Sequence, residues 1–138
     1  MLDLQRMLSL KEKRKFKIRF SIKTAALSIA EEEGWGNVTI RKISEKILYS
    51  PPIVYEHFRN KKDLIRSLIA DGFEELYQKT VLKISDEKKP EMVIIKIAEV
   101  RFDFAFQNKT LHDMMFDIKN EHWRKNKVLE AMEGIKSI

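Results

Sequence analysis

The first third of the chain carries apolar residues at helical spacing within a strongly charged background. Gly34 then follows as a typical helix stop, because glycine adopts the left-handed conformation without strain. The pattern predicts one long helix from Leu10 to Glu33. Its recurring apolar positions are Phe16, Phe20, Ala26, Leu27 and Ala30.

A second, shorter helix is predicted after residues 35–37. Thr39 is a candidate N-cap, because its hydroxyl can accept a hydrogen bond from a backbone N–H group in the first turn. The helix that follows carries three isoleucines on one face, Ile40, Ile43 and Ile47.

The segment SPPIVYEHF at residues 50–58 predicts a third helix that is short and stiff. Ser50 is a candidate N-cap. Pro51 and Pro52 suit the first two helical positions, because backbone N–H groups there have no intrahelical partner. Val54 and Phe58 lie four residues apart and are expected to face inward. The outer faces then carry Pro51, Pro52, Ile53, Tyr55 and Glu56.

Asn60 is a candidate cap for a fourth helix, with Asp63 in its first turn. The apolar stripe of this helix is formed by Ile65, Leu68, Ile69, Phe73 and Leu76. A charged break at residues 86–89 precedes Pro90, which opens the next helix.

The helix after Pro90 is apolar nearly all round over residues 92–106, so we expect it to be a buried central helix. Residues 111–118 and 122–135 predict two more helices. The sequence shows no strand pattern and no repeat. The predicted fold class is therefore all-α, with about seven helices.

The composition narrows the class of protein. The 138 residues are 43% hydrophobic and 35% charged, which is typical of a globular protein. Because there is no cysteine, disulfides, thiolate zinc sites and cysteine nucleophiles are excluded. No apolar run approaches the ~20 residues that a membrane span needs, and the N-terminus lacks the pattern of a signal peptide. We therefore expect a cytoplasmic protein without a membrane partner.

The net charge of +6 is unevenly distributed. Residues 1–62 hold 14 Lys and Arg against 7 Asp and Glu, whereas residues 63–138 hold 13 against 14. A basic first half indicates a polyanionic partner, and a solvated helix face explains the charge equally well.

Two short helices joined by a tight turn, behind a basic helix, are the layout of a helix-turn-helix DNA reader. Beyond this layout, the run from Ile22 to Leu64 resembles the DNA-binding domain of the tetracycline-repressor-like (TetR) family of bacterial transcriptional regulators. The matching residues are Ala25, Ala26, Glu33, Gly34, Val38, Thr39, Ile40, Arg41, Ile43, Ser50, Tyr55, His57, Phe58, Asn60, Lys61 and Leu64.

The resemblance implies a sequence-specific DNA-binding regulator, most often a repressor. Because the sequence shows no glycine-rich phosphate loop and no pairing of a nucleophile with a base, we expect neither an enzyme nor a cofactor. By the family pattern, Tyr55, His57 and Lys61 hold phosphates, and Thr39 and Arg41 touch the DNA backbone. The residues implied to face the bases are Ser50, Pro51, Pro52 and Ile53.

Three of these base-facing residues, Pro51, Pro52 and Ile53, have no side-chain hydrogen-bond donor. Direct reading by these three residues is limited to apolar contacts with thymine methyl groups, so we expect a T/A-rich operator that is partly recognised by its shape. The turn departs from the family pattern, since Ile47 and Leu48 stand where Ala-Gly is common. The chain thus lacks glycine where a left-handed residue is often needed.

Residues 98–116 resemble, over a shorter stretch, the start of one TetR-type C-terminal domain. We therefore expect a helix-turn-helix domain at 1–62 and a helical effector-binding and dimerisation domain at 63–138. The resemblance implies a homodimer on an inverted-repeat operator and an unidentified small hydrophobic effector. The candidate lining of its pocket is Phe102, Phe106, Met114, Met115 and Phe116, and core packing is the alternative for each of them.

The chain ends at Ile138, earlier than is usual in that family, so we expect it to be shortened and to lack one or both dimerisation helices. An incomplete sequence, a naturally shortened protein and a different mode of dimerisation are the open explanations. A face on residues 122–135 is a candidate interface, with core packing as the alternative. Its residues are Trp123, Val128, Leu129, Met132 and Ile135.

Two rival functions remain. An enzyme would have to use the potential metal ligands His112, Asp113, Asp117 and His122, which follow no recognised ligand motif. A non-specific architectural DNA-binding protein would rely on a basic arm and would lose affinity steeply as salt rises. The cations of this basic arm are Lys11, Lys13, Arg14, Lys15, Lys17 and Arg19.

Overall fold

A computed structural model describes residues 9–117 and contains only helices and turns in that range. This confirms the all-α prediction. The α-helices are α1 (Leu10–Glu33), α2 (Ile40–Ile47), α3 (Pro51–His57), α4 (Lys61–Ile84), α5 (Pro90–Gln107) and α6 (Lys109–Met115), and a short 3-10 helix spans Trp35–Asn37. The predicted helix at 122–135, with its candidate interface, lies outside the described residues.

Two units divide the chain, one up to Ile65 and one from Arg66 onward. Helices α1, α2 and α3 belong to the first unit, and α5 and α6 belong to the second. Helix α4 begins in the first unit with Lys61 and ends in the second with Ile84.

Helix α1 begins and ends at strong capping signals. The Ser9 hydroxyl accepts from the Glu12 backbone N–H, while the Glu12 carboxylate accepts from the Ser9 N–H, which is a capping box. At the other end Gly34 has φ 85° and donates its N–H to the carbonyl of Ala30. The predicted stop at Gly34 is confirmed.

The buried face of α1 differs from the apolar positions that the sequence pattern singled out. Of those positions, Ala26 and Ala30 are buried, but Phe16 and Phe20 are 71% and 63% exposed. Helix α1 carries apolar residues on two sides, and packing within the first unit covers one of them. The buried residues are Ile18, Ile22, Ala25, Ala26, Ile29 and Ala30.

Within the second unit, α4 packs against the end of α6 and the residue that follows it. Gly72 of α4 leaves room for Met115, since a Cβ at Gly72 would lie 2.5 Å from the Met115 Sδ. Phe73 packs edge-on against Phe116 with ring centroids 5.3 Å apart. The predicted apolar stripe of α4 is confirmed at Leu68 and Ile69, which are buried.

The prediction that residues 92–106 form a buried central helix is wrong within the described residues. Helix α5 starts at Pro90 as predicted, but only Val100 and Phe104 are buried. An apolar helix buries only the faces against which other elements pack. The α5 side chains that stay exposed include Ile94, Ile95, Ile97, Phe102 and Phe106.

Candidate nucleic-acid interface

Helix α3 presents one face outward and is anchored by the other. Val54 and Phe58 are 0% and 1% exposed, as the sequence predicted, and each contributes about 1.5–3 kcal/mol by burial. Pro51 and Pro52 are exposed at the start of the helix, and the Tyr55 side chain is 51% exposed. The helix therefore offers a proline- and tyrosine-bearing surface on an apolar base.

The N-terminus of α3 leaves the Ser50 hydroxyl uncommitted to capping. Ser50 occupies the N-cap position in an extended conformation, but its side chain makes no capping hydrogen bond. Pro52 has no N–H to offer it, and the N–H of Ile53 bonds to the Ser50 carbonyl instead. Ser50 therefore occupies the predicted cap position without a side-chain bond to the helix.

The turn before α3 contains a strained residue. Leu48 has φ 60° and ψ 36°, the left-handed conformation, and it is 90% exposed. A β-carbon makes this conformation unfavourable, by about 1–2 kcal/mol. The turn therefore keeps the geometry that glycine usually provides, with leucine in its place.

Helix α2 places Thr39 and Arg41 on an exposed surface. The Thr39 hydroxyl accepts from the Lys42 N–H at 3.1 Å, which confirms the predicted cap, and its own proton remains available to an acceptor. The Arg41 guanidinium pairs with Glu45 at 3.2 Å. Because both side chains are more than half exposed, this pair contributes little and leaves Arg41 accessible.

His57 ends α3 and lies beside α1. Partial burial, followed by the nearby positive charge of Arg19, lowers the pKa of His57 from its usual value. The Arg19 Nη1 donates to the His57 carbonyl oxygen at 3.2 Å. The same guanidinium lies 4.3 Å from the centroid of the Phe58 ring.

Lys61, the first residue of α4, makes an internal hydrogen bond. Its Nζ donates to the carbonyl oxygen of Trp35 in the 3-10 helix, at 2.5 Å. Partial burial lowers the pKa of Lys61. An ammonium group has three protons, so this bond leaves two for another acceptor.

Comparison with known proteins shows what this part of the chain resembles. Residues 22–68 match the family described as "Bacterial regulatory proteins, tetR family". This segment is thus similar to tetR-family regulators. The match covers α2 and α3 entirely, together with part of α1 and the start of α4. The tetR match includes all nine residues that the resemblance implies as DNA contacts, and it excludes the basic arm.

A curated relative also carries a helix-turn-helix description. The chain is 28% identical over 84 residues to the "Uncharacterized HTH-type transcriptional regulator YobS" of Bacillus subtilis (strain 168). The aligned stretch covers 61% of this chain and 44% of that protein. The chain thus spans less than half the length of this relative.

Outside the tetR-matched residues, the five candidate effector contacts fall into two groups. Phe102 and Phe106 are 75% and 85% exposed and line an open groove of about 780 Å³ on α5 and α6. Met114 and Met115 are buried in the second unit, and Phe116 lies 4.7 Å from the ring of His112. The groove is lined by Ala98, Arg101, Phe102, Ala105, Phe106, Lys109, His112 and Asp113.

The same range was searched for metal sites and membrane spans. Among residues 9–117, no three His, Cys, Asp or Glu side chains form a group that could hold a metal ion. His112 and Asp113 are 3.9 Å apart, and His122 lies outside the described range. Within these residues no helix combines the length and the apolar content that crossing a membrane requires.

Two contacts near this candidate interface are not evident from the sequence pattern. The pattern places Arg19 in the basic arm and Trp35 in the connection before the second helix. Their partners lie 38 and 26 residues away along the chain, so no local pattern reveals either contact.

Proposed function

We propose that this chain is a sequence-specific DNA-binding transcriptional regulator, and that it acts as a repressor. The observation that carries the proposal is the construction of α3. Its outer surface bears Pro51, Pro52 and Tyr55, while Val54 and Phe58 anchor its inner side. Such a rigid, exposed helix following a tight turn suits insertion into the major groove.

The chemistry of the surrounding residues supports a division of roles. Three exposed donor groups suit phosphate oxygens: the Thr39 hydroxyl, the Tyr55 phenol and the Arg41 guanidinium. Contacts with phosphates set the register of the protein on DNA. His57 and Lys61 are assigned to the same task. Ser50, Pro51, Pro52 and Ile53 face the bases.

The proposed regulator acts as a homodimer on an inverted repeat. Two-fold symmetry in the protein then matches two half-sites about one helical turn apart. The spacing of the selected half-sites therefore reports on the dimer directly.

A small hydrophobic effector releases the regulator from DNA. The 780 Å³ groove supports this proposal, because binding sites for small molecules are concave and mostly apolar. Effector binding shifts α4, which carries Lys61 at its first position. A compound that releases operator DNA from the wild type, but not from a Phe102→Ser/Phe106→Ser variant, would support this route.

Selection of bound fragments from genomic DNA tests the main proposal. The matched control is Tyr55→Ala, because this exposed side chain can be removed with little effect on the fold. Enrichment of a shared inverted repeat by the wild type, lost in the variant, is the expected result. Recovery of unrelated fragments by both proteins would contradict sequence-specific binding.

A second candidate is a non-specific architectural DNA-binding protein. The observation that favours it is the run of exposed cations on α1, formed by Lys11, Lys13, Arg14, Lys15 and Lys17. A purely electrostatic binder gains affinity from counterion release and has no need of a rigid reading helix. The selection experiment separates the two functions, since only the architectural protein recovers DNA without a shared sequence.

A further inference from the structure

Arg19 of α1 contacts the C-terminal end of α3 at two points. Its Nη1 donates to the backbone carbonyl oxygen of His57 at 3.2 Å. Its guanidinium carbon lies 4.3 Å from the centroid of the Phe58 ring, which is itself 1% exposed. One planar group therefore engages both the last residue of α3 and the residue that caps it.

These contacts satisfy needs of α3 that its own residues leave open. The last four carbonyl groups of a helix have no donor within the helix. In α3 the Phe58 N–H donates to the carbonyl group of Val54 and leaves the His57 carbonyl without a helical donor. The guanidinium supplies a donor to the His57 carbonyl and a positive charge at the negative end of the helix dipole. Arg19 thus acts as a C-terminal cap provided by another helix.

The two contacts also differ in kind from the apolar base of α3. Packing of Val54 and Phe58 is non-directional, so by itself it resists tilting and rotation of a short helix only weakly. A hydrogen bond and a planar stack are directional, and an arginine side chain combines them in one rigid group.

We propose that Arg19 is a positioning residue for DNA reading, which fixes the tilt and rotation of α3 and is not one of the phosphate-binding cations of α1. The inference rests on the proposed DNA-binding function. Arg19 is then not part of the basic arm, although it follows Lys15 and Lys17 in sequence.

The length of α3 shows why its orientation must be fixed closely. Seven residues make α3 about 10 Å long, so a tilt of about 10° about one end moves the other end by about 2 Å. Hydrogen bonds to phosphates and close apolar contacts with bases tolerate only a few tenths of an ångström. Loss of the Arg19 contacts with α3 should therefore weaken binding to the operator more than binding to unrelated DNA.

Binding measurements over a range of salt concentrations test the inference. The probes are an operator fragment selected by the wild type and a duplex of unrelated sequence. Arg19→Met keeps an unbranched chain near the Phe58 ring without charge or donors, and Arg19→Lys keeps the charge without the planar fork. Lys13→Met, an exposed cation of the same helix, reports the loss of one charge without loss of a contact to α3.

We expect Arg19→Met to bind the operator at least tenfold more weakly, with little change on unrelated DNA and no change in salt slope. Arg19→Lys should recover only part of the loss. Equal losses on both duplexes, with a slope reduced by about 0.9, would identify a phosphate contact and overturn the inference. Full recovery with lysine, or unchanged operator binding in Arg19→Met, would also overturn it.

Hydrogen exchange tests the same inference without DNA. In the free protein, the backbone amides of residues 54–58 should exchange faster in Arg19→Met than in the wild type, while those of α2 stay unchanged. Identical exchange at 54–58 would overturn the positioning role. If the wild type selects no operator, the proposed function fails, and the exchange measurement still decides whether Arg19 holds α3.

Discussion

The Lys61 ammonium donates a hydrogen bond to the Trp35 carbonyl, so the first residue of α4 holds the connection between α1 and α2 across 26 residues of sequence. Lys61 is proposed above as a phosphate contact, and its remaining two protons are compatible with that role. The structure adds a second role in the free protein, since the bond ties together segments that are distant in sequence.

Replacing Lys61 with methionine should therefore destabilise the fold. The carbonyl of Trp35 loses a charged donor, which lowers the free energy of unfolding by about 1–2 kcal/mol. Urea unfolding measures the change. The matched control is Lys62→Met at the exposed neighbouring position, where we expect a change within about 0.5 kcal/mol. Equal stability of the two variants would show that the Lys61 bond does not support the fold.

Replacing Leu48 with glycine should, in contrast, raise the free energy of unfolding. Leu48→Gly relieves the cost of a left-handed leucine, and since the side chain is 90% exposed little packing is lost. Glycine also gives the unfolded chain more freedom, so the net gain in unfolding free energy should be about 0.5–1 kcal/mol. The gain should appear as a raised midpoint of thermal unfolding.

Leu48→Ala separates backbone strain from the loss of an exposed apolar side chain. Alanine keeps the β-carbon and hence the strain, so its stability should stay near that of the wild type. If alanine stabilised the protein as much as glycine, the left-handed conformation of Leu48 would not be the cause.

His57 predicts a loss of stability in mild acid. Its pKa in the folded protein is lowered by burial and then by Arg19, so the unfolded chain binds the proton more readily. As the pH falls through about 6.5, the usual pKa of histidine, protonation therefore favours the unfolded state. His57→Gln should lose less unfolding free energy than the wild type between about pH 7.5 and 5.5. Parallel pH profiles in a series of urea titrations would contradict this prediction.

Ile53 predicts how the bases are read. If Ile53 contacts thymine methyl groups, replacing operator thymine by deoxyuridine removes the contact and should weaken wild-type binding several-fold. Ile53→Ala should bind the methylated and unmethylated operators equally, because the side chain that senses the methyl group is gone. A selected operator whose contacted pairs are all G·C would contradict the expected T/A preference.

Several parts of the fold were predictable because short-range signals decide them. Gly34, Thr39, Pro51 and Asn60 each act within about four residues, through a left-handed stop, a cap or a missing N–H. Asn60 accepts from the Asp63 N–H at 2.9 Å, as its position predicted. The positions of α1 to α4 follow from signals of this kind, and with them the helix-turn-helix layout.

The ends of α6 show the limits of the same signals. The pattern predicted a helix at residues 111–118, whereas α6 spans Lys109–Met115. Asn108 precedes it without a side-chain cap, so no strong local signal marks the start.

The sequence by itself determined the all-α class, the order of the helices and the apolar base of α3, because periodicity and capping are properties of neighbouring residues. Only the tertiary structure decided which of two apolar sides of α1 is buried and which aromatic residues of α5 stay exposed. It also decided which backbone carbonyl groups accept hydrogen bonds from Arg19 and Lys61. These outcomes depend on which surfaces pack against each other in the folded protein. Residues 26 or 38 positions apart share no local sequence pattern, so the sequence does not predict their contact.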